Sequence, residues 1–244
     1  MKNKNTHTVL QTNATPVYDF LSFIHTKQAQ GTLGANLKIL DCGAGGNVPP
    51  LALFSDYGFE TYGIDVSDVQ LERAGSYAAQ HGLKIDLRKA DMRKLPFTDQ
   101  YFDCVYEHYS MCHLSKQDTD IAISEMFRVL KKNGLCFLGV ISMDSMPKSL
   151  YGEEKDPGEF WDQGARHSMF TDQEADHLVH KWEILLKSKR VRYLHDTARK
   201  ISKNEWMKMY NSQHAHCSED EWLKRFDRRT NMVNYTHIYY ILKK

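Results

Sequence analysis

Leu37–Phe54 reads LKILDCGAGGNVPPLALF. An apolar run ends on Asp41, and a turn follows with glycine at 43, 45 and 46. Asn47, two prolines and a second apolar run complete the stretch. The order predicts a strand, a tight loop and a helix. Glycines in such a loop reach positive φ and let the backbone approach a ligand closely. The helix that starts after it points free N–H groups into the same space. Dinucleotide sites use G-x-G-x-x-G at this point, with the pyrophosphate on the helix N-terminus. Here Gly43 and Gly45 are followed by Val48, so the third glycine is missing. Pro49 and Pro50 also remove two N–H donors from the first turn. A ligand without a diphosphate does not need those donors.

Composition narrows the setting. A chain of 244 residues suits one large domain, or one domain with an insertion. Its 41% hydrophobic and 26% charged residues are ordinary globular values. A formal net charge of +1 creates no field favouring nucleic acid or an anionic membrane. No apolar run approaches the ~20 residues that span a bilayer. Met1–Thr8 is polar and lacks the apolar segment of a secretory signal. The expected location is cytoplasmic. Five scattered cysteines without C-x-x-C spacing argue against a disulfide framework or a cysteine-rich zinc site. His214, His216 and Cys217 invite a metal reading, but no fourth ligand follows at finger spacing, and no metal is expected.

Outward from the central stretch, further elements fall into place. Upstream, Thr15 and Pro16 open a helix with Val17, Phe20, Leu21 and Ile24 at helical spacing. Downstream, ETYGIDVS gives a second strand ending on Asp65. Asp65 lies about 20 residues beyond the glycines, where nucleoside-binding α/β folds place an acid for the ribose hydroxyls. Ser67 or Asp68 is free to cap the following helix instead. LKIDLRKADM holds a third strand, Lys84 to Lys89, and FDCVYEHYSM a fourth. Glu107, His108 and Tyr109 lie at or beyond the end of that fourth strand, where ligands sit in open α/β sheets. A helix from Gln117 to Lys132 follows, with Ile123, Met126, Phe127 and Leu130 on one face and Gly134 as its stop.

From Leu37 to Ser142 the chain resembles the class I S-adenosylmethionine-dependent methyltransferases. The first motif matches at Asp41 and the glycines, with Asn47 where the family most often has another glycine. Leu95-Pro96-Phe97, followed by Phe102-Asp103, matches the family's lead into its fourth strand. EMFRVLKKNG resembles its E-x-x-R-V-L-K-P-G-G helix, with Asn133 for the usual proline and Leu135 for the second glycine. The resemblance implies S-adenosyl-L-methionine as cofactor and S-adenosyl-L-homocysteine as product. The methionine part would lie against Asp41, Cys42, Gly43, Ala44, Gly45 and Asn47. The ribose would lie against Asp65 and Val66, and adenine against Asp91 and Met92. Glu107 and His108 would close the site near the transferred methyl group. Tyr18, on the leading helix, is the aromatic that family members fold over the cofactor; plain packing of that helix on the sheet is the other reading.

The second half reads less fully. Met143–Thr171 is expected as a long irregular segment carrying Tyr151, Phe160, Trp161, His167 and Phe170. By the resemblance it lines an acceptor pocket, with Tyr109, Tyr151 and Trp161 as substrate-binding candidates. Thr171–Glu174 is a capping box. WEILLKSKRVRYL gives a sixth strand. Asp196–Asn234 is a helical insertion with capping boxes at Ser202…Glu205 and Ser218…Glu221, expected to be a lid or a dimerisation surface. YTHIYYILKK is the last strand.

The fold expected is α/β: a Rossmann-like, doubly wound, seven-stranded, mostly parallel sheet with an antiparallel last strand and a helical insertion before it. One domain would comprise a helical cap (1–36), a cofactor half (37–142), a substrate side with the insertion (143–234) and the last strand (235–244). The function implied is methyl transfer to a small-molecule acceptor, without nucleic-acid or membrane partners. If the acceptor needs a base, His108, His113 and His167 are the candidates; a thiolate acceptor needs none. Two alternatives stay open: an NAD-dependent oxidoreductase, and a non-catalytic cofactor-binding protein.

Overall fold

The computed structural model describes residues 15–146, 148–162, 164–192, 202–213, 218–230 and 235–244. Met1–Thr8 and the His214, His216 and Cys217 group lie outside the described residues. The central stretch forms strand β1 (Lys38–Cys42) and helix α2 (Leu51–Asp56), with α1 (Thr15–Ala29) ahead of them. Strands β2 (Glu60–Asp65), β3 (Ile85–Lys89), β4 (Phe102–Tyr106) and β5 (Leu130–Ser142) pair in parallel in the order β3-β2-β1-β4-β5. Helices α3 (Asp68–His81) and α4 (Lys116–Val129) supply crossovers. Ser67 and Ser115 cap them through their hydroxyls, so Asp65 stays available at its strand end. Strand β10 (Tyr235–Lys243) lies antiparallel between β5 and β9 (Glu183–Arg192). The order β3-β2-β1-β4-β5-β10-β9 is the seven-stranded sheet expected.

Two expectations are corrected. Met143–Thr171 is not an irregular loop. It contains a three-stranded antiparallel array: β6 (Glu153–Asp156), β7 (Glu159–Asp162) and β8 (Ala165–Phe170). Gly158 makes the first reversal possible at φ +75°. β8 joins the edge of β5 through Ile141–Met169 and Ser142–Phe170, which extends the sheet to ten strands. The second correction concerns α4, which stops at Val129, ahead of Gly134. Leu130 already pairs with Phe102 at the start of β5. Gly134 lies within β5, where a Cβ would meet the Asp103 carbonyl at 2.9 Å. Arg128 secures the junction by donating to the carbonyls of Leu95 and Phe97 and to Glu125 and Asp99.

The core has two layers because alternate strand residues leave opposite faces. Leu40, Ile238, Tyr240 and Leu242 face α4 residues Ile123, Met126 and Val129. Ile39, Tyr106, Phe137, Tyr239 and Ile241 face α1 and α2. Val17, Phe20 and Ile24 are fully buried there, as their spacing requires. Phe20 stacks on Phe137 at 5.6 Å and meets Phe54 edge-on at 6.3 Å. Between β8 and β9, α5 (Asp172–Leu178) opens at the Thr171 capping box. The insertion helices α6 (Lys203–Gln213) and α7 (Glu219–Thr230) are clamped by stacked Trp206 and Trp222, centroids 4.3 Å apart, each indole N–H donating to the other's carbonyl.

Within the sheet, Asp41 is buried and accepts a 2.6 Å hydrogen bond from the Tyr106 hydroxyl on β4. Burial pushes its carboxyl up to about 8, against the opposing effect of that bond. The unfolded value is near 3.9. The native state therefore binds the extra proton between these values, and stability from this group falls as pH rises from about 4 through 8.

Two outcomes follow. Phe20→Ala should lower stability by about 3–5 kcal/mol, the range for a buried Phe truncation. It reads as a lower denaturant midpoint at unchanged slope; a loss under about 1 kcal/mol would mean that α1 does not seal this face. Asp41→Asn keeps an acceptor for Tyr106 but cannot ionise. Its melting temperature should gain on that of the parent as pH is raised from 5 to about 9. A gap that stays constant over that range would contradict the buried proton.

Candidate functional site

A cavity of about 590 Å³ opens at the carboxyl ends of β1 to β4. Its floor is the β1 loop. Gly43, at φ +140°, packs against Ser110, and a Cβ there would strike the Ser110 hydroxyl. A Cβ on Gly45 would strike the Asp65 carboxylate and Gln70. The loop is knitted to β2 and α3: Ala44 N–H donates to the Ile64 carbonyl at 2.8 Å and Gly46 N–H to that of Gln70 at 3.1 Å.

Asp65 is oriented by backbone donors. Gly45 N–H reaches its Oδ2 at 3.1 Å and Ser67 N–H its Oδ1 at 2.9 Å. Each carboxylate oxygen keeps further acceptor capacity for a ligand. Val66 beside it is 62% exposed, an apolar surface turned outward at the cavity wall. At the end of β3, Asp91 accepts from the backbone N–H of Arg93 at 2.8 Å and from its guanidinium. That guanidinium holds the Asp91 carboxyl below the usual carboxylate range. Arg93 also reaches Asp118 at 3.1 Å. Met92 is half-buried beside it.

The loop after β4 forms the remaining wall with His108, Tyr109, Ser110, His113 and Leu114. Tyr109 holds φ +71°, a conformation uncommon for a side-chain-bearing residue. The His108 ring meets Tyr109 edge-on at 4.4 Å, and its buried Nε2 has no hydrogen-bond partner among the described residues. Burial pushes this imidazole down to about 4, so it is neutral near pH 7. Tyr109 stacks on Tyr235, which stacks on Tyr151, tying the cavity wall to β10 and to the segment after β5.

The structure thus brings together Gly43, Gly45, Asn47, Asp65, Val66, Asp91, Met92, His108, Tyr109 and His113. Other residues named from the sequence lie elsewhere. Asp41 is turned inward to Tyr106, Cys42 packs in the layer against α4, and Ala44 in the layer against α1 and α2. Tyr18 packs with that second layer and does not line the cavity. Glu107 is fully buried: its Oε1 accepts from Ser110 and Met111 N–H groups, fixing the turn below the wall. Burial pushes its carboxyl up to about 7. Tyr151 belongs to a small core with Ile141, Phe160 and Met169. Trp161 lies on β7 under the Arg166 guanidinium, 4.8 Å from its ring centre. His167 stands behind His113, ring centroids 5.2 Å apart, and burial lowers its pKa. Sequence reasoning missed Gln70, Arg93 and Ser110. Arg93 follows Asp91 by two residues, a spacing that permits the pair; Ser110 gives no such signal.

Residues 40–138 match the model of the methyltransferase domain family. A curated relative, the sterol 24-C-methyltransferase erg6 of Aspergillus fumigatus, is 36% identical over 103 residues, 41% of this chain and 26% of that enzyme. The chain spans less than half the length of the curated relatives it matches. Among solved structures, a SAM-dependent methyltransferase from Methanosarcina mazei superposes with TM-score 0.62 at 20% identity, over 89% of this chain and 96% of that one. The cyclase SpnF superposes with TM-score 0.57 at 20% identity, over 91% and 80%. Glycine loop, strand order and family match agree: residues 40–138 are similar to the methyltransferase domain family, and the fold around them is that of the solved methyltransferase structures.

Proposed function

We propose that the protein transfers a methyl group from S-adenosyl-L-methionine to a small-molecule acceptor. The observation that carries this reading is the Gly43–Gly45 cradle, closed against an Asp65 carboxylate that keeps acceptor capacity facing the cavity. The residues fit a nucleoside joined to an amino acid better than a dinucleotide. The start of α2 is poor in donors for a diphosphate: Pro49 and Pro50 lack N–H groups. Beyond Leu51, the N–H groups of Ala52 and Leu53 donate to the carbonyls of those prolines at 3.0 Å. An NAD-dependent reading loses its anchor there.

When bound, the cofactor supplies a sulfonium methyl that a nucleophile takes by in-line displacement. The protein's work is then positioning and exclusion of water. Asp65 accepts from the ribose hydroxyls. Ionised Asp91 offers an acceptor to the adenine amino group, with Val66 and Met92 against the ring. His108, neutral and lining the cavity, orients the acceptor's polar atom. Its depressed pKa makes it a weak base, so it suits a hydrogen-bonding role better than proton removal. Cytoplasmic location belongs to the same proposal; among the described residues no helix is long and apolar enough to cross a membrane. The SpnF likeness shows that this fold is not tied to one chemistry, so turnover needs its own assay.

Calorimetric titration tests the cofactor class first. S-adenosyl-L-homocysteine should bind in the micromolar range, with no heat from NAD; the reverse would overturn the reading. Asp65→Ala should weaken binding by more than about tenfold, and full affinity in that variant would remove the ribose assignment. Gly45→Ala should abolish measurable binding while the circular dichroism stays that of the parent.

A further inference from the structure

We propose that Cys112, His113 and His167 form a binding site for a zinc-class divalent metal ion at the border of the cavity. The three side chains place their ligand atoms within 4.8 Å of one another. A tetrahedral zinc site with bonds of about 2.0–2.3 Å spaces its ligands somewhat closer than this. The three atoms therefore need to close in by about an ångström, which side-chain rotation supplies.

The frame around the cluster is built. Cys112 and His113 sit on the 3-10 turn Met111–His113, and His167 sits on β8. The turn is tied to β8 on both sides of His167. The His113 ring bonds the Arg166 carbonyl at 2.8 Å, and the Ser168 hydroxyl bonds the Leu114 carbonyl. The first tie also fixes chemistry. A carbonyl only accepts, so Nδ1 of His113 must carry the proton, and Nε2 is left with its lone pair. Metal-binding histidines are held in this way, one ring nitrogen on a backbone carbonyl and the other on the ion. Cys112 Sγ now rests 3.2 Å from the Tyr109 carbonyl as a weak donor. A thiol in such surroundings keeps its proton until a cation lies beside it, and a coordinated thiol loses it.

Ligand type and number identify the ion and its use. One thiolate and two imidazoles suit zinc and exclude the hard cations calcium and magnesium, which take oxygen. Among the described residues the group contains three ligands, the number found in catalytic zinc sites, which keep a fourth position for an exchangeable ligand. His113 is itself part of the cavity wall, so that position borders the space left for the acceptor. If the methyl-transfer reading above holds, the fitting acceptor carries a thiol or hydroxyl that binds the ion and releases its proton to solvent. The sequence, which argued for no metal, conceals the site because His167 is far from the Cys112-His113 pair.

The 244-residue chain, stripped with a chelator, would be titrated with Co²⁺ and followed by absorption. The expected result is one equivalent bound, with tetrahedral ligand-field bands and a thiolate-to-cobalt band that zinc displaces. Cys112→Ser should lose the thiolate band and His167→Gln the tetrahedral bands, in protein whose circular dichroism matches the parent. Absence of a thiolate band in the parent overturns the proposal. So does its persistence in Cys112→Ser, which would put the ion elsewhere on the chain. Titration of the same samples with S-adenosyl-L-homocysteine separates the two readings. Cofactor binding without the cobalt spectrum removes the metal site alone; the spectrum without cofactor binding removes only the methyltransferase reading.

Discussion

The missing side chain at Gly45 is the constraint on which the site depends. With only hydrogen there, the β1 loop closes on β2, and its N–H donates directly to the Asp65 carboxylate. That bond couples the two strand ends that must share one ligand. It also orients a carboxylate that would otherwise choose among rotamers, at a cost in side-chain entropy on binding. Gly43 does the same toward β4, where its bare Cα accommodates Ser110. The loop is thus a backbone surface pinned on two sides, and any Cβ on it would push β1 away from its neighbours. The two prolines that follow stiffen the entry to α2 and remove two N–H donors from it.

The acids around the cavity divide by depth. Asp41 and Glu107 lie below it, and burial raises both carboxyls into or above the neutral range. Their hydrogen bonds frame the scaffold: Tyr106 on one, the Ser110 and Met111 N–H groups on the other. Asp91 lies at the wall and is held ionised by Arg93. The same residue type does structural work where water is excluded and ligand-facing work where it is not. A positively charged ligand placed among these groups would itself favour their ionised forms, so cofactor binding should release protons from the deeper pair.

This division explains what the sequence made legible. The strands β1, β2, β4 and β10 are apolar runs buried on both faces, and helices α3 to α7 carry Ser or Thr caps; these signals are local and read directly. The places of Asp65 and Asp91 on the cavity wall were legible because both stand at or just beyond strand ends, where the cavity opens. Asp41 and Glu107 were misread for the converse reason: position in a motif does not say whether a side chain leaves toward the cavity or the core. The β6–β8 array was hidden because Glu153–Asp156 is exposed throughout and shows no alternation. It forms through pairing with β7, and its anchor to β5 is only two residue pairs long. Pro157-Gly158 was the one local sign of the reversal.

On the proposed reading, the acceptor side is assembled from elements distant in sequence, which would bear on how a substrate is selected. Tyr109 from the β4 loop, Tyr151 after β5 and Tyr235 on β10 stack in one column. Only Tyr109 reaches the cavity wall. A change at Tyr151 or Tyr235 would therefore alter the acceptor space through the ring that rests on them. Tyr109 is held at positive φ, and a residue in that conformation persists only while its surroundings over-determine it. The stack supplies that constraint from one side and the His108 ring from the other. On the proposed reading, cofactor recognition would rest on backbone at the ends of parallel strands, and acceptor recognition on side chains drawn together by the sheet's antiparallel extension. The first can stay fixed while the second varies, which is how one fold comes to serve many acceptors.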